Sequence, residues 1–249
     1  MIDKTFKEEI AILRIEHGPV NALDAELLAA LADTLDDVEG RAQAIVLTGT
    51  GPAFSAGADL IRLLEEGSHY VEAARPHASR AFERMFTISR PVVAAINGHA
   101  IAGGCVIALA CDHRIMASGD HRLGLAELKV GVPFPAWALE IVRFAVPAPH
   151  LQRLIYSGRL ATPDEALVLG LVDEIVAPDQ LMERALVIAR RLASIPAATF
   201  ALTKRSLRDP FAERARTAGP IDDEGMAVWA SSETRESVRR FIDRTLGSA

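Results

Sequence analysis

Aromatic residues make up only 5% of this 249-residue chain, and cysteines number two. With so few rings, alanine and leucine must do most of the packing. No apolar run reaches the ~20 residues that a helix needs to span a bilayer. Met1-Ile2-Asp3-Lys4-Thr5 lacks a basic segment followed by an apolar one, so no secretion signal is expected. Acidic residues exceed basic ones, and the net charge of −6 argues against the basic surface that nonspecific nucleic-acid binding requires. It leaves room for a small anionic ligand held by a few arginines. Cys105 and Cys111 lie in an apolar stretch with no histidine-rich neighbourhood, so core packing is expected and a zinc site is not. Few cysteines and no export signal point to a reducing, cytoplasmic setting.

Half the residues are apolar, enough to bury a large core in one domain with a helical appendage. Ile10–Ile15 reads as a strand. Asp24 is a plausible N-cap for a helix to about Val38, with Leu27, Leu28, Leu31 and Leu35 on its buried side. Ala44–Thr48 and Val92–Ile96 are short continuous apolar runs, as expected of strands buried on both faces. Helices are expected over Asp59–Glu66, Tyr70–Ile88 and Ala102–Leu109, then a strand near His113–Met116. Leu123-Gly124-Leu125 reads as a short strand or loop. Helices follow at Trp137–Phe144 and Pro149–Tyr156. Thr162-Pro163-Asp164-Glu165 is a capping box that starts another helix. Leu171–Val176 reads as a strand. From Pro178 the pattern is all helix: Gln180–Ile195, Ala197–Leu207 and Glu224–Leu246 with a break. Asp209-Pro210 to Pro220-Ile221 reads as a mobile hinge. Alternation followed by helices alone gives an α/β core with an α tail.

Two small-residue turns stand out. Phe54-Ser55-Ala56-Gly57-Ala58-Asp59-Leu60 and Asn97-Gly98-His99-Ala100-Ile101-Ala102-Gly103-Gly104-Cys105 each follow an apolar strand and lead into a helix. At such junctions a ligand can approach the backbone, and N–H groups not yet used by the helix face it. Two of them can aim two donors at one developing oxyanion, typically worth ~3 kcal/mol per donor.

Ala53–Leu60 (AFSAGADL) and Pro91–Asp112 (PVVAAINGHAIAGGCVIALACD) resemble the enoyl-CoA hydratase/isomerase, or crotonase, family, and the likeness runs from about Pro19 to Val176. The resemblance implies an α/β spiral of ββα units over 1–195 and an all-helical trimerisation region over 196–249. It implies an acyl-CoA thioester ligand, with no cofactor beyond its coenzyme A moiety, and a homotrimer or dimer of trimers. Leu181, Leu186, Ile188 and Leu192 are expected at subunit contacts. The two oxyanion N–H groups fall on Ala58 and Gly103. Ala56, Ala58, Asp59, Leu60 and Gly103 should line the coenzyme and substrate, and Asn21-Ala22 occupies a fixed bend beside them.

Hydratases of the family use two glutamates. One position is Val106 here, which cannot move a proton. The other is Glu127, in an apolar setting of Leu125, Leu128, Val130 and Val132 that should raise its pKa. One carboxylate suffices to carry a proton from C2 to C4 of a 3-enoyl thioester, so isomerisation is expected. The alternatives are hydration, another single-acid reaction, and acyl-CoA binding without turnover. Ala102–Cys105, Leu123–Glu127 and Pro133–Trp137 resemble the mitochondrial-type isomerases in particular.

Other signals are weaker. Glu140 reads as a helix-surface carboxylate. Ser55 in A-x-S-x-G nearly matches a hydrolase elbow but needs a histidine such as His113 or His121. Gly49-Thr50-Gly51 lacks the remaining residues of a nucleotide loop. His99 reads as a hydrogen-bonded structural histidine. Arg239, Arg240 and Arg244 form a basic helical face, solvated or else set to meet coenzyme phosphates.

Overall fold

The computed structural model describes residues 1–246, so positions 247–249 of the expected C-terminal region lie outside it. The chain opens with strands β1 (Ile2–Lys7) and β2 (Ile10–Ile15) and helix α1 (Ala25–Glu39). Then come β3 (Ala44–Gly49), β4 (Ala53–Ser55), α2 (Leu60–Glu66) and α3 (Ser68–Thr87). The next turn of chain is β5 (Val92–Ile96), β6 (His99–Ile101) and α4 (Gly103–Ala110). The third is β7 (His113–Ala117), β8 (Leu123–Gly124) and α5 (Glu127–Val130). Helices α6 (Ala136–Ala145) and α7 (Ala148–Ser157), strand β9 (Leu160–Ala161), helix α8 (Pro163–Val168) and strand β10 (Glu174–Val176) follow. The chain ends in α9 (Leu181–Ala193), α10 (Ala197–Thr217), α11 (Gly219–Trp229) and α12 (Ser232–Leu246).

Each ββα turn gives its first strand to one sheet and its second to another. The larger sheet runs β1-β2-β3-β5-β7-β10 and the smaller β4-β6-β8-β9. The pairs β2–β3, β3–β5, β5–β7 and β7–β10 are parallel. This is the expected spiral. The apolar runs are continuous because both faces of the larger sheet are covered. Ile45, Leu47, Val92, Ala94 and Ile96 face the main core with α1, α3, α4 and α6. Ala44, Val46, Val93, Ala95 and Ile115 face the other way, onto Leu181, Ala185, Leu186 and Ile188 of α9.

That second layer corrects one expectation. Leu181, Leu186 and Ile188 are buried against the chain's own sheet, and Leu192 packs at the edge of the same cluster. These residues are therefore not a spare apolar face. The hinge is also corrected: α10 runs without interruption through Pro210 to Thr217. Its buried stripe, Lys204, Arg208, Ala212 and Ala215, keeps the helix on the core past the proline. Strands β1, β4, β6 and β9 are additional to the sequence reading. β1 is an exposed edge strand, and the other three are two or three residues long. The expected strand at Leu171–Val176 shrinks to Glu174–Val176, with Leu171 and Val172 buried in the main core instead.

Candidate active site

The site lies where the two small-residue turns meet. β4 and β6 pair in parallel through Ala53–His99 and Ser55–Ala100, which brings the ends of both strands side by side. Gly57 has φ 84°, and a side chain there would stand 2.7 Å from the Ile101 carbonyl oxygen and 3.1 Å from the Gly103 nitrogen. Only a glycine permits this approach. Ala102, which precedes α4, holds φ 49° without being glycine. Such strained backbone costs of order 1–3 kcal/mol and clusters at functional sites. Its own N–H is held by the Gly124 carbonyl at 2.8 Å.

Ala58 and Gly103 both line one cavity of about 150 Å³ with Ala56, Leu60, Tyr70 and Glu127. Gly103 opens α4, so its N–H has no acceptor within the helix. The Ala58 N–H has no hydrogen-bond partner among the described residues: its neighbours Leu23, Gly57 and Asp59 bond one another across it. Two free donors thus border the same space. Asp59 stands apart from the cavity wall. Its carboxylate caps α2, accepting from the N–H groups of Ile61 and Arg62 at 3.0 Å each.

Glu127 begins α5 with its side chain turned into the cavity. It is 5% exposed, and its Oε2 has no hydrogen-bond partner among the described residues. Burial pushes its carboxyl pKa up to about 8, against a smaller lowering by its own backbone N–H. Leu125, Val130 and Val132 are buried around it, as expected, but Leu128 points outward and is exposed. Glu127 is the one carboxylate among the described cavity residues. The remaining wall is apolar apart from Arg75, and it draws on α3, α6, α11 and α12 through Val71, Ala78, Phe82, Ala138, Met226 and Phe241. The last two helices are tied on by polar bonds. The Trp229 indole N–H donates to the Pro133 carbonyl at 2.9 Å, and the Ser237 hydroxyl to the Val130 carbonyl at 2.9 Å. Asp222 accepts the Ala136 N–H at 2.8 Å and pairs with Arg75.

Val106 is fully buried in the core and is not part of the cavity wall. Glu140 corrects another expectation: it is 5% exposed and lies between Arg143 and Arg214. These two arginines come from α6 and α10, so the carboxylate is a tie between helices rather than surface. Asn21 is wholly buried with φ 53°, and its amide donates to the carbonyls of Thr50 and Ala53. It thereby braces the first turn. The Ser55 hydroxyl donates to the Asn21 carbonyl at 2.7 Å, a structural use that leaves no nucleophile–histidine pair. His113 pairs with Glu174. The Nδ1 of His99 accepts from the Arg122 N–H at 3.0 Å, and His121 packs edge-on against the His99 ring. Cys105 and Cys111 are buried thiols whose pKa values burial raises. Arg239, Arg240 and Arg244 are exposed on α12. Among the described residues no group of three or more His, Cys, Asp or Glu is placed to hold a metal ion, and no single helix is long and apolar enough to cross a membrane.

Sequence reasoning missed Tyr70, Met226 and Trp229 as parts of the site. Met226 and Trp229 enter from α11, far along the chain, and Tyr70 from α3, and the spacing of all three reads simply as core. The close approach at Gly57 and the strain at Ala102 carried a local signal only in being small residues.

The enoyl-CoA hydratase/isomerase family matches residues 5–246. The chain is 32% identical over 247 residues to enoyl-CoA delta isomerase 1 from mitochondria of Rattus norvegicus, covering 97% of this chain and 84% of that protein. It is 39% identical over 192 residues to a putative enoyl-CoA hydratase of Thermus thermophilus, covering 75% of each. The crystal structure of human mitochondrial delta3-delta2-enoyl-CoA isomerase superposes with a TM-score of 0.93 at 27% identity, covering 99% of this chain and 98% of that one. The two turns, the spiral that joins them and these likenesses agree: the chain belongs to the enoyl-CoA hydratase/isomerase family of enzymes.

Proposed function

We propose that this enzyme moves the double bond of a 3-enoyl-CoA to the 2-position, with Glu127 as the single proton shuttle. The thioester oxygen is received by the N–H groups of Ala58 and Gly103. The Glu127 carboxylate takes a proton from C2, and the C–H electrons pass into the C1–C2 bond and onto the thioester oxygen. The two donors stabilise this dienolate where its charge develops. The protonated Glu127 then returns the proton at C4, the electrons close the C2–C3 double bond, and the carboxylate is regenerated. The observation that carries the reading is the carboxylate inventory of the cavity: Glu127 alone, beside two unused N–H donors. A water-adding mechanism with a second carboxylate has no candidate among the described wall residues, and the family's other position is Val106, which cannot move a proton.

The same reading includes a cytoplasmic enzyme, with Ala56 and Leu60 beside the coenzyme and no cofactor other than the substrate's own coenzyme A. It also includes a homotrimer or a dimer of trimers. With α9 committed to the sheet, the exposed Leu202 and Leu207 of α10 are the better contact residues.

The test is Glu127→Gln. General acid–base groups contribute roughly 100- to 10,000-fold, so turnover of 3-enoyl-CoA should fall at least 100-fold. Acyl-CoA binding, measured by calorimetry, should persist because the donors are untouched. A variant that still turns over at the wild-type rate would refute the shuttle.

A further inference from the structure

Leu23 touches both oxyanion turns. Its N–H donates to the Gly57 carbonyl at 2.8 Å, and its own carbonyl accepts the Asp59 N–H at 3.4 Å, so its backbone straddles Ala58. Its side chain leans the other way: Cδ1 lies 2.9 Å from the position a Gly103 side chain would occupy. One residue therefore bonds the backbone on either side of the first donor and packs its side chain against the second donor's residue, Gly103, where that glycine leaves room. The Asp59 bond is long and weak on its own. The Leu23 carbonyl has a second donor, the Tyr70 hydroxyl, at 3.1 Å. Tyr70 comes from α3, is 4% exposed and lines the cavity. Its ring is covered by the Arg62 guanidinium, 5.5 Å from the centroid, and Arg62 in turn pairs with Glu26 and Glu66. Burial raises the phenol pKa, which keeps the hydroxyl a neutral donor.

We infer that Leu23 and Tyr70 are positioning residues of the oxyanion pair: Leu23 sets the separation of the Ala58 and Gly103 N–H groups, and Tyr70 fixes Leu23. The inference rests on the proposed use of those two N–H groups, but not on which reaction follows. Two donors on different turns polarise one oxygen only when their spacing is held, because hydrogen-bond strength falls steeply with geometry. The contacts with Gly57 hold the turns from one side, and Leu23 holds them from the other. Both residues also line the cavity, so the effect of each on the donors is read at the thioester carbonyl rather than from turnover alone.

The experiment uses Tyr70→Phe, which removes one hydroxyl and leaves the ring, and Leu23→Ala with Leu23→Met as its volume-conserving control. Difference infrared spectra are recorded on each protein with a saturated acyl-CoA that cannot react. The wild type should lower the thioester carbonyl frequency on binding. Tyr70→Phe and Leu23→Ala should lose a large part of that shift, and Leu23→Met should restore it. On reacting substrate, kcat should fall on the order of 10-fold for Tyr70→Phe, less than the 100- to 1,000-fold of deleting a donor outright, while KM stays nearly constant. A lowered melting temperature with an unchanged carbonyl shift and kcat in both variants would overturn the inference and leave the oxyanion reading intact. No carbonyl shift in the wild type would overturn both.

Discussion

Glu127 holds its proton more tightly in the folded enzyme than in the unfolded chain, because burial disfavours the charged form. Folding stability is therefore linked to pH through this residue. Below about pH 4.5 both states carry the proton and Glu127 costs nothing. Between there and about pH 8 the unfolded chain releases the proton while the folded chain retains it, so stability falls as pH rises. Above that the penalty is constant. Glu127→Gln abolishes the penalty. The melting temperature of the variant minus that of the wild type should thus be near zero at pH 4.5 and grow positive towards pH 9. The full effect is of order a few kcal/mol. A difference that is flat with pH, measured by scanning calorimetry, would show that the carboxyl is not desolvated as described. Such a loss of stability is the expected cost of keeping a carboxyl group out of water. The residue was legible in sequence through the family resemblance, and its raised pKa through Leu125, Val130 and Val132, which lie beside it in the chain and are buried. Tyr70 was not, because its partner, the Leu23 carbonyl, is backbone and leaves no mark on side-chain pattern.

Helix α10 shows how an element escapes a reading by hydrophobic period. Its buried stripe begins with two cations. The Lys204 ammonium donates to Asp112 at 2.7 Å and to the Arg90 carbonyl at 3.0 Å. The Arg208 guanidinium donates to Asp112 at 2.8 Å and to the carbonyls of Phe86 and Ala110. Burial lowers the Lys204 pKa to about 8. Read as surface residues, these cations end the apolar pattern at Leu207, and Pro210 then looks like a hinge. In the fold they are the inner face, and the helix continues. Asp112 is the hub, since it also accepts the Val92 N–H at 2.8 Å. Asp112→Ala leaves two buried cations uncompensated and should cost roughly 3–5 kcal/mol. Lys204→Met removes one cation while Asp112 keeps Arg208, and should cost much less. Urea unfolding of both variants checks the order, and equal losses would contradict the hub. By contrast α1, α8, β3 and β5 were readable, because cap, capping box and continuous apolar run each act within a few residues.

At the scale of the molecule, the spiral was legible only through resemblance. No fixed sequence period marks its ββα turns, since their helices range from the four residues of α5 to the 20 of α3. The layer of α9 on the sheet was invisible, because an amphipathic helix reads the same against its own chain or a neighbour. Assembly is accordingly an expectation of its own: light scattering at micromolar concentration should give three or six times the 26.8 kDa chain mass, and a stable monomer would refute it. The central claim is that one carboxylate beside two backbone donors makes an isomerase, and its most direct test is a ratio. Purified wild-type enzyme is given 3-enoyl-CoA and, separately, 2-enoyl-CoA, and both initial rates are measured under the same conditions. Isomerisation should exceed hydration by at least the roughly 100-fold contributed by a missing acid–base group. Hydration as fast as isomerisation, or faster, would contradict it.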